Sequence, residues 1–182
     1  MDFPKFLFNK FITIYNPFLY YLLMYIVYGS QNGNAESVAK NVYDRLDDIV
    51  LTKTLISLDQ TLELFRHKHF ERPFFIVLST TGNGDVPFNA EKWWRFLKNR
   101  KLDKSHCRGC QFYVLGIGDS NYSPFCGAAK KVQRRLSELG ASLMSEMVLI
   151  DDPIDDYDQC IFESLIPLTT QNPILVKTIG LF

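Results

Sequence analysis

Apolar and polar positions along this chain alternate between two periods. Leu22–Tyr28 is a continuous apolar run, rich in the branched and aromatic residues that favour strands, and it breaks at Gly29. Beyond the polar stretch Ser30-Gln31-Asn32-Gly33-Asn34 the spacing becomes helical: Ala35, Val38, Ala39, Val42, Tyr43 and Leu46 fall at i, i+3, i+4, i+7, i+8 and i+11. A strand buried on both faces, a polar turn and an amphipathic helix form the opening unit of a parallel α/β sheet. The unit then recurs. Thr52–Leu58 predicts a second strand, with a short helical patch over Leu62–Phe65. Phe74–Leu78 predicts a third, followed by a loop over 79–87 and a helix with Asn89 as its N-cap and Ala90, Trp93, Trp94 and Leu97 on one face. Phe112–Leu115 predicts a fourth, then a loop over 116–122 and a helix carrying Phe125, Ala128, Ala129, Val132, Leu136 and Leu139, closed by Gly140. Met147–Ile150 predicts a fifth, ending in Asp151-Asp152-Pro153, and a last helix over Asp156–Ile166 stops before Pro167.

Polar, glycine-bearing loops therefore follow strands one, three and four. In an open doubly wound sheet such loops gather at the C-terminal ends of the strands, near the point where strand order reverses. The turn after the first strand points spare backbone N–H groups and the positive end of a helix dipole at one spot, which suits a phosphate. Ser30 and Asn32 add side-chain donors. Taken alone, that segment reads equally well as a plain strand-to-helix turn. Three ligand-suited loops on one edge are far more specific than any one of them, and they favour a ligand site.

The motifs YGSQNGNAE (28–36), STTGNGDVP (79–87) and LGIGDSNYSPFC (115–126), with KKVQRRLSELGA (130–141), resemble the FMN-binding, flavodoxin-like domain of the diflavin reductase family. The resemblance implies a flavodoxin-like, doubly wound, five-stranded parallel sheet of order 2-1-3-4-5 over residues 22–166, with FMN as cofactor. It implies that Ser30, Gln31, Asn32, Gly33, Asn34 and Ala35 hold the FMN phosphate. Thr80, Thr81, Gly82, Asn83 and Gly84 would run beside the flavin ring. Gly116, Gly118, Asp119, Asn121, Tyr122 and Phe125 would form the other wall, with Tyr122 stacked on the ring and Asp151 and Asp152 nearby. No catalytic side chain and no metal is implied.

The resemblance further implies a one-electron relay between a flavin-containing NADPH/FAD reductase module and a protein acceptor. STTGNGD, GDSNY and Phe125-Cys126 look most like the methionine synthase reductase branch, whose acceptor is cobalamin-dependent methionine synthase. WWRFLKNRKL (93–102) is also similar to the branch that serves cytosolic iron–sulfur assembly. Three departures stand out. Thr81 occupies a position where many relatives carry an aromatic residue, Asn32 replaces a threonine of the phosphate turn, and the FAD- and NADPH-binding half is absent from the sequence. A truncated, flavin-free interaction module is the alternative from another class.

Composition trims this picture. The 182 residues suit one globular domain, and 20 basic against 20 acidic residues give no surplus for nucleic acid. Four irregularly spaced cysteines read as reduced thiols of a cytoplasmic protein. Phe11–Tyr28 is an uncharged run that invites a membrane reading, but Asn16-Pro17 interrupts it and its last third is needed as the first strand. Residues 1–21 are set apart as an extension of unknown role, and 167–182 as a tail. Cys107-Arg108-Gly109-Cys110 supplies two soft ligands where a closed zinc site needs four, so it reads as a loop with ordinary thiols. His67 and His69 read as solvated, and at least one of Trp93 and Trp94 as packed on the sheet. There is no G-x-S-x-G elbow and no P-loop lysine.

Overall fold

In the computed structural model, residues 23–46, 50 and 52–170 are described. Expectations for Leu22, residues 1–21 and residues 171–182 lie outside them. Strand β1 (Leu23–Gly29) leads into helix α1 (Asn34–Arg45), and β2 (Thr52–Ser57) into a 3-10 turn (Leu58–Thr61) and α2 (Leu62–Arg66). Then follow β3 (Phe74–Ser79), a 3-10 turn (Phe88–Ala90) with α3 (Glu91–Leu97), and β4 (Gln111–Gly118) with α4 (Gly127–Glu138). The short β5 (Ser142–Leu143), β6 (Val148–Asp151) and α5 (Tyr157–Thr170) complete the chain. All pairings are parallel, in the order β2-β1-β3-β4, with β5 and β6 both on the far side of β4. The expected order 2-1-3-4-5 holds, with the fifth position filled by two short strands.

The pleat explains why the strand runs are apolar throughout. Along β3, Phe74, Ile76 and Leu78 enter the core under α2, α3 and α4, whereas Phe75 and Val77 enter the core under α1 and α5. Along β4, Phe112 and Val114 take the first side, and Tyr113, Leu115 and Ile117 the second. Helices on both faces leave no face of the central strands polar.

Four boundaries differ from expectation. β4 continues through Gly116, Ile117 and Gly118, which read as loop because glycines interrupt the apolar run. Helix α4 and strand β6 pack so closely here that glycine is required: a Cβ on Gly116 would lie 2.7 Å from Ala129 Cβ and 2.9 Å from Leu149 Cδ2. Asn89 is not the N-cap of α3; it sits inside the preceding 3-10 turn, and Ala90 precedes the helix without a side-chain cap. Phe125 precedes α4 rather than opening it, because Cys126 takes a left-handed conformation (φ 49°) ahead of Gly127. Finally, α5 runs past Pro167 to Thr170, keeping Leu165 and Leu168 buried beyond the expected end. Gly140 closes α4 as expected, at φ 88°, with Gly140 N–H donating to Ser137 O and Ala141 N–H to Leu136 O, a Schellman closure.

Candidate functional site: a cleft between loops

The loops after β1, β3 and β4 meet at the C-terminal edge of the sheet. A cleft of about 330 Å³ opens there, lined by Thr80, Gly82, Gly118, Asp119, Tyr122, Ser123, Pro124 and Cys126. Its volume is in the range of small-molecule sites.

The β1–α1 turn is shaped from within. Ser30 is buried, and its Oγ accepts the Gly33 N–H at 3.0 Å. Gly33 takes φ 95°, where a side chain would be strained, and so delivers the chain into α1 at Asn34. The first N–H groups of α1 have no partner within the helix, so they and the dipole face the turn. Gln31, Asn32 and Asn34 are exposed around this spot, and Ala35 is buried beneath it.

The β3 loop is held at its shoulders. Thr80 N–H donates to Ile117 O at 3.0 Å, and Thr80 Oγ1 accepts Ala128 N–H at 3.3 Å. Thr81 and Asp85 exchange backbone hydrogen bonds of 3.0 and 2.8 Å. Lys131 Nζ donates to Gly84 O at 2.6 Å. Gly82 and Asn83 are left exposed at the tip, and a Cβ on Gly82 would meet nothing within 4 Å. Thr81 is half-buried and presents no ring to the cleft.

The β4 loop supplies the opposite wall. Asn121 N–H donates to Asp119 Oδ1 at 2.8 Å and Tyr122 N–H to Asp119 O at 3.0 Å, so Asp119 folds the loop on itself. Asp151 Oδ1 accepts Ser120 N–H at 2.9 Å from the end of β6. Tyr122 is 70% exposed at the cleft mouth. Gly118 forms the floor: a Cβ there would lie 2.8 Å from Cys126 N and 3.0 Å from its Sγ.

Of the residues expected at the site, Thr80, Gly82, Gly118, Asp119 and Tyr122 line this cleft. Ser30 to Ala35 form the adjoining turn. Thr81, Asn83, Gly84, Asn121 and Asp151 shape the loops around it. Gly116 lies within β4 under Ala129, and half-buried Phe125 packs below Lys130, whose Nζ is 5.3 Å from its ring centroid. Ser123, Pro124 and Cys126 were not expected as site residues, although the motif LGIGDSNYSPFC (115–126) contains them.

Burial disfavours the thiolate form of three of the cysteines. Cys107 and Cys110 are buried in the core beneath α4, not on a loop surface. Burial pushes the Cys107 thiol up to about 12 and the Cys126 thiol up to about 12, and raises Cys110 well above the usual thiol value. The thiolate is the reactive form, and it is scarce at neutral pH when the thiol value is raised. Iodoacetamide at neutral pH should therefore spare these three in the native chain and alkylate them after unfolding, as read by mass spectrometry. Rapid native labelling of Cys107 or Cys110 would contradict their burial. Among the described residues, no group of three or more His, Cys, Asp or Glu is placed to hold a metal ion. His67 and His69 are exposed, their rings 5.9 Å apart. No helix among the described residues is long and apolar enough to cross a membrane.

Comparison with known proteins gives a consistent family. A family model described as Flavodoxin matches residues 26–163. Methionine synthase reductase of Caenorhabditis elegans is 33% identical over 129 residues, covering 71% of this chain and 19% of that protein. NADPH-dependent diflavin oxidoreductase 1 of Schizosaccharomyces pombe is 36% identical over 124 residues, covering 67% of this chain and 20% of that protein. This chain thus spans about a fifth of the length of these relatives. Among solved structures, oxidised flavodoxin 2 of Bacillus cereus superposes with a TM-score of 0.64 at 27% identity, covering 82% of this chain and 99% of that one. A cysteine-to-alanine mutant of flavodoxin from Pseudomonas aeruginosa gives 0.60 at 27% identity, covering 80% and 97%.

Proposed function

The chain belongs to the flavodoxin family, in the form found in diflavin reductases, and on that premise we propose that it is an FMN-binding electron-transfer domain. FMN is the cofactor of this family, and the donor set fits it. The turn at 30–35 offers backbone N–H groups, a helix dipole and short polar side chains, which meet a phosphate dianion without an arginine. The observation that carries the reading is that this turn, tied to the β3 side by Ser79 Oγ donating to Gly29 O and by Ser30 N–H donating to Asn89 Oδ1, lies on the same sheet edge as the two loops that wall a cleft of about 330 Å³.

Bound FMN would supply one-electron chemistry that no side chain here provides. Ser30 to Ala35 would hold its phosphate. Thr80 to Gly84 would lie along the ring, where Gly82 lets backbone approach closely. Gly118, Asp119, Asn121 and Tyr122 would form the other wall, with the Tyr122 phenol stacked on the ring. Thr81 brings no aromatic cover to its side of the ring. Asp119, Asp151 and Asp152 keep negative charge at the rim, which disfavours further negative charge in the cleft.

In this reading electrons arrive singly from an NADPH/FAD reductase module and leave to a protein acceptor. STTGNGD, GDSNY and Phe125-Cys126 favour cobalamin-dependent methionine synthase as that acceptor. WWRFLKNRKL (93–102), by its resemblance to the branch that serves cytosolic iron–sulfur assembly, supports that machinery as a second acceptor. We place the protein in the cytoplasm. The test is an absorption spectrum of the purified chain followed by FMN titration. A flavin spectrum with FMN at near-equal stoichiometry is expected. Colourless protein that takes up no added FMN would sink the proposal and leave a flavin-free interaction module.

A further inference from the structure

Two hydrogen bonds of opposite sense join the phosphate turn to the segment that follows the β3 loop. Asn89 Oδ1 accepts the Ser30 N–H at 2.8 Å, across 59 residues of sequence. Gln31 Oε1 accepts the Phe88 N–H at 3.1 Å, across 57. Each partner gives one side chain and one backbone amide, so the two dipeptides Ser30-Gln31 and Phe88-Asn89 grip each other. Ser30 is 7% exposed, so its N–H has little recourse to water if Asn89 is lost. The same residue, through Oγ, holds the Gly33 N–H and with it the bend into α1.

We propose that Asn89 and Gln31 form a latch that sets the phosphate-binding geometry of the 30–34 turn, making Asn89 a positioning residue for a ligand it does not touch. Asn89 braces the turn from behind, and Ser30 Oγ shapes it from within. Gln31 spends its side-chain oxygen on Phe88, which leaves its backbone N–H and its Nε2 amide as donors toward the phosphate. Removing either side chain lets the turn relax, and the amides that should converge on one anion diverge. The flavin ring, by contrast, is addressed by the loops at 80–84 and 118–122, which make no bond to Asn89 among the described residues.

The latch rests on the FMN reading, and comparing two ligands separates the two. FMN and riboflavin share the ring and differ in the phosphate. Each is titrated by flavin fluorescence into the full chain, wild type, Asn89→Ala and Phe88→Pro. In Asn89→Ala the FMN Kd should rise by about five- to tenfold, the effect of one lost hydrogen bond of a buried donor. Riboflavin Kd should move by less than about twofold. Phe88→Pro removes the N–H that Gln31 accepts and leaves Gln31 in place. Exposed position 88 opens a 3-10 turn after extended Pro87, where proline is tolerated. This variant decides the matter if Asn89→Ala does not fold, and it should shift the FMN-to-riboflavin ratio in the same direction. An unchanged ratio in the folded variants, or equal weakening of both ligands, would overturn the latch. A wild type with no preference for FMN over riboflavin would instead overturn the phosphate-site reading.

Discussion

Replacing Trp93 by alanine is expected to destabilise the fold by about 3–5 kcal/mol, the usual cost of removing a large buried aromatic side chain. Trp93 is wholly buried at the start of α3, and its ring meets Phe65 edge-on at 5.3 Å. Phe65 in turn contacts Phe70 and Phe74, each at 5.2 Å, so the indole closes an aromatic cluster over the N-terminal end of β3. Its backbone is also tied down, with Trp93 N–H donating to Asp59 Oδ1 at 2.9 Å. The indole Nε1 has no hydrogen-bond partner among the described residues. Trp93→Phe should therefore cost much less than Trp93→Ala, since it loses volume but also an unpaired buried donor. Urea unfolding of the three proteins checks this; equal costs for Phe and Ala would mean that the pocket collapses freely around the site. Trp94, half-buried beside Lys98, should tolerate alanine better.

The second large effect falls on the ligand and spares the fold. Tyr122→Ala should weaken FMN by about tenfold or more, or ~1.5–2.5 kcal/mol, from lost stacking and lost burial against the ring. With 70% of its surface exposed and no side-chain hydrogen bond among the described residues, Tyr122 contributes little to the apoprotein. Unfolding of the apoprotein should shift by no more than about 0.5 kcal/mol. Tyr122→Phe keeps the ring and should restore most of the affinity. Calorimetric titration of the three proteins gives both numbers, and unchanged FMN affinity in the alanine variant would remove Tyr122 from the site.

The fold was legible because the central strands β1, β3 and β4 are apolar on both faces and the loops after them are polar. Those patterns fix a parallel sheet covered on both sides, and they placed Thr80, Gly82, Gly118, Asp119 and Tyr122 at one edge. What was hidden depends on three-dimensional contact. Gly116 reads as a loop glycine in sequence, and only the approach of Ala129 and Leu149 shows that it is a packed strand residue. Asn89 has the right identity and position for an N-cap, but its acceptor goes to an amide 59 residues away. Pro167 reads as a helix stop, yet the apolar stripe through Leu165 and Leu168 carries α5 past it. Cys107 and Cys110 look like a loop pair, and their burial follows from α4 and β5 closing over them. Local propensity lost at these points to tertiary packing.

The divided outer strand has a consequence for crowded solutions. Edge strands are where one sheet recruits another chain. Here the outer flank of β4 is covered by a strand of 2 residues and another of 4, with residues 144–147 between them. On this flank, an extended segment from a second molecule would find ladder partners only in these short, separated runs, unlike the six-residue edge strand β2 on the opposite side. The flank offers no continuous template, so growth by strand addition stalls there before a fibril-like ladder can start.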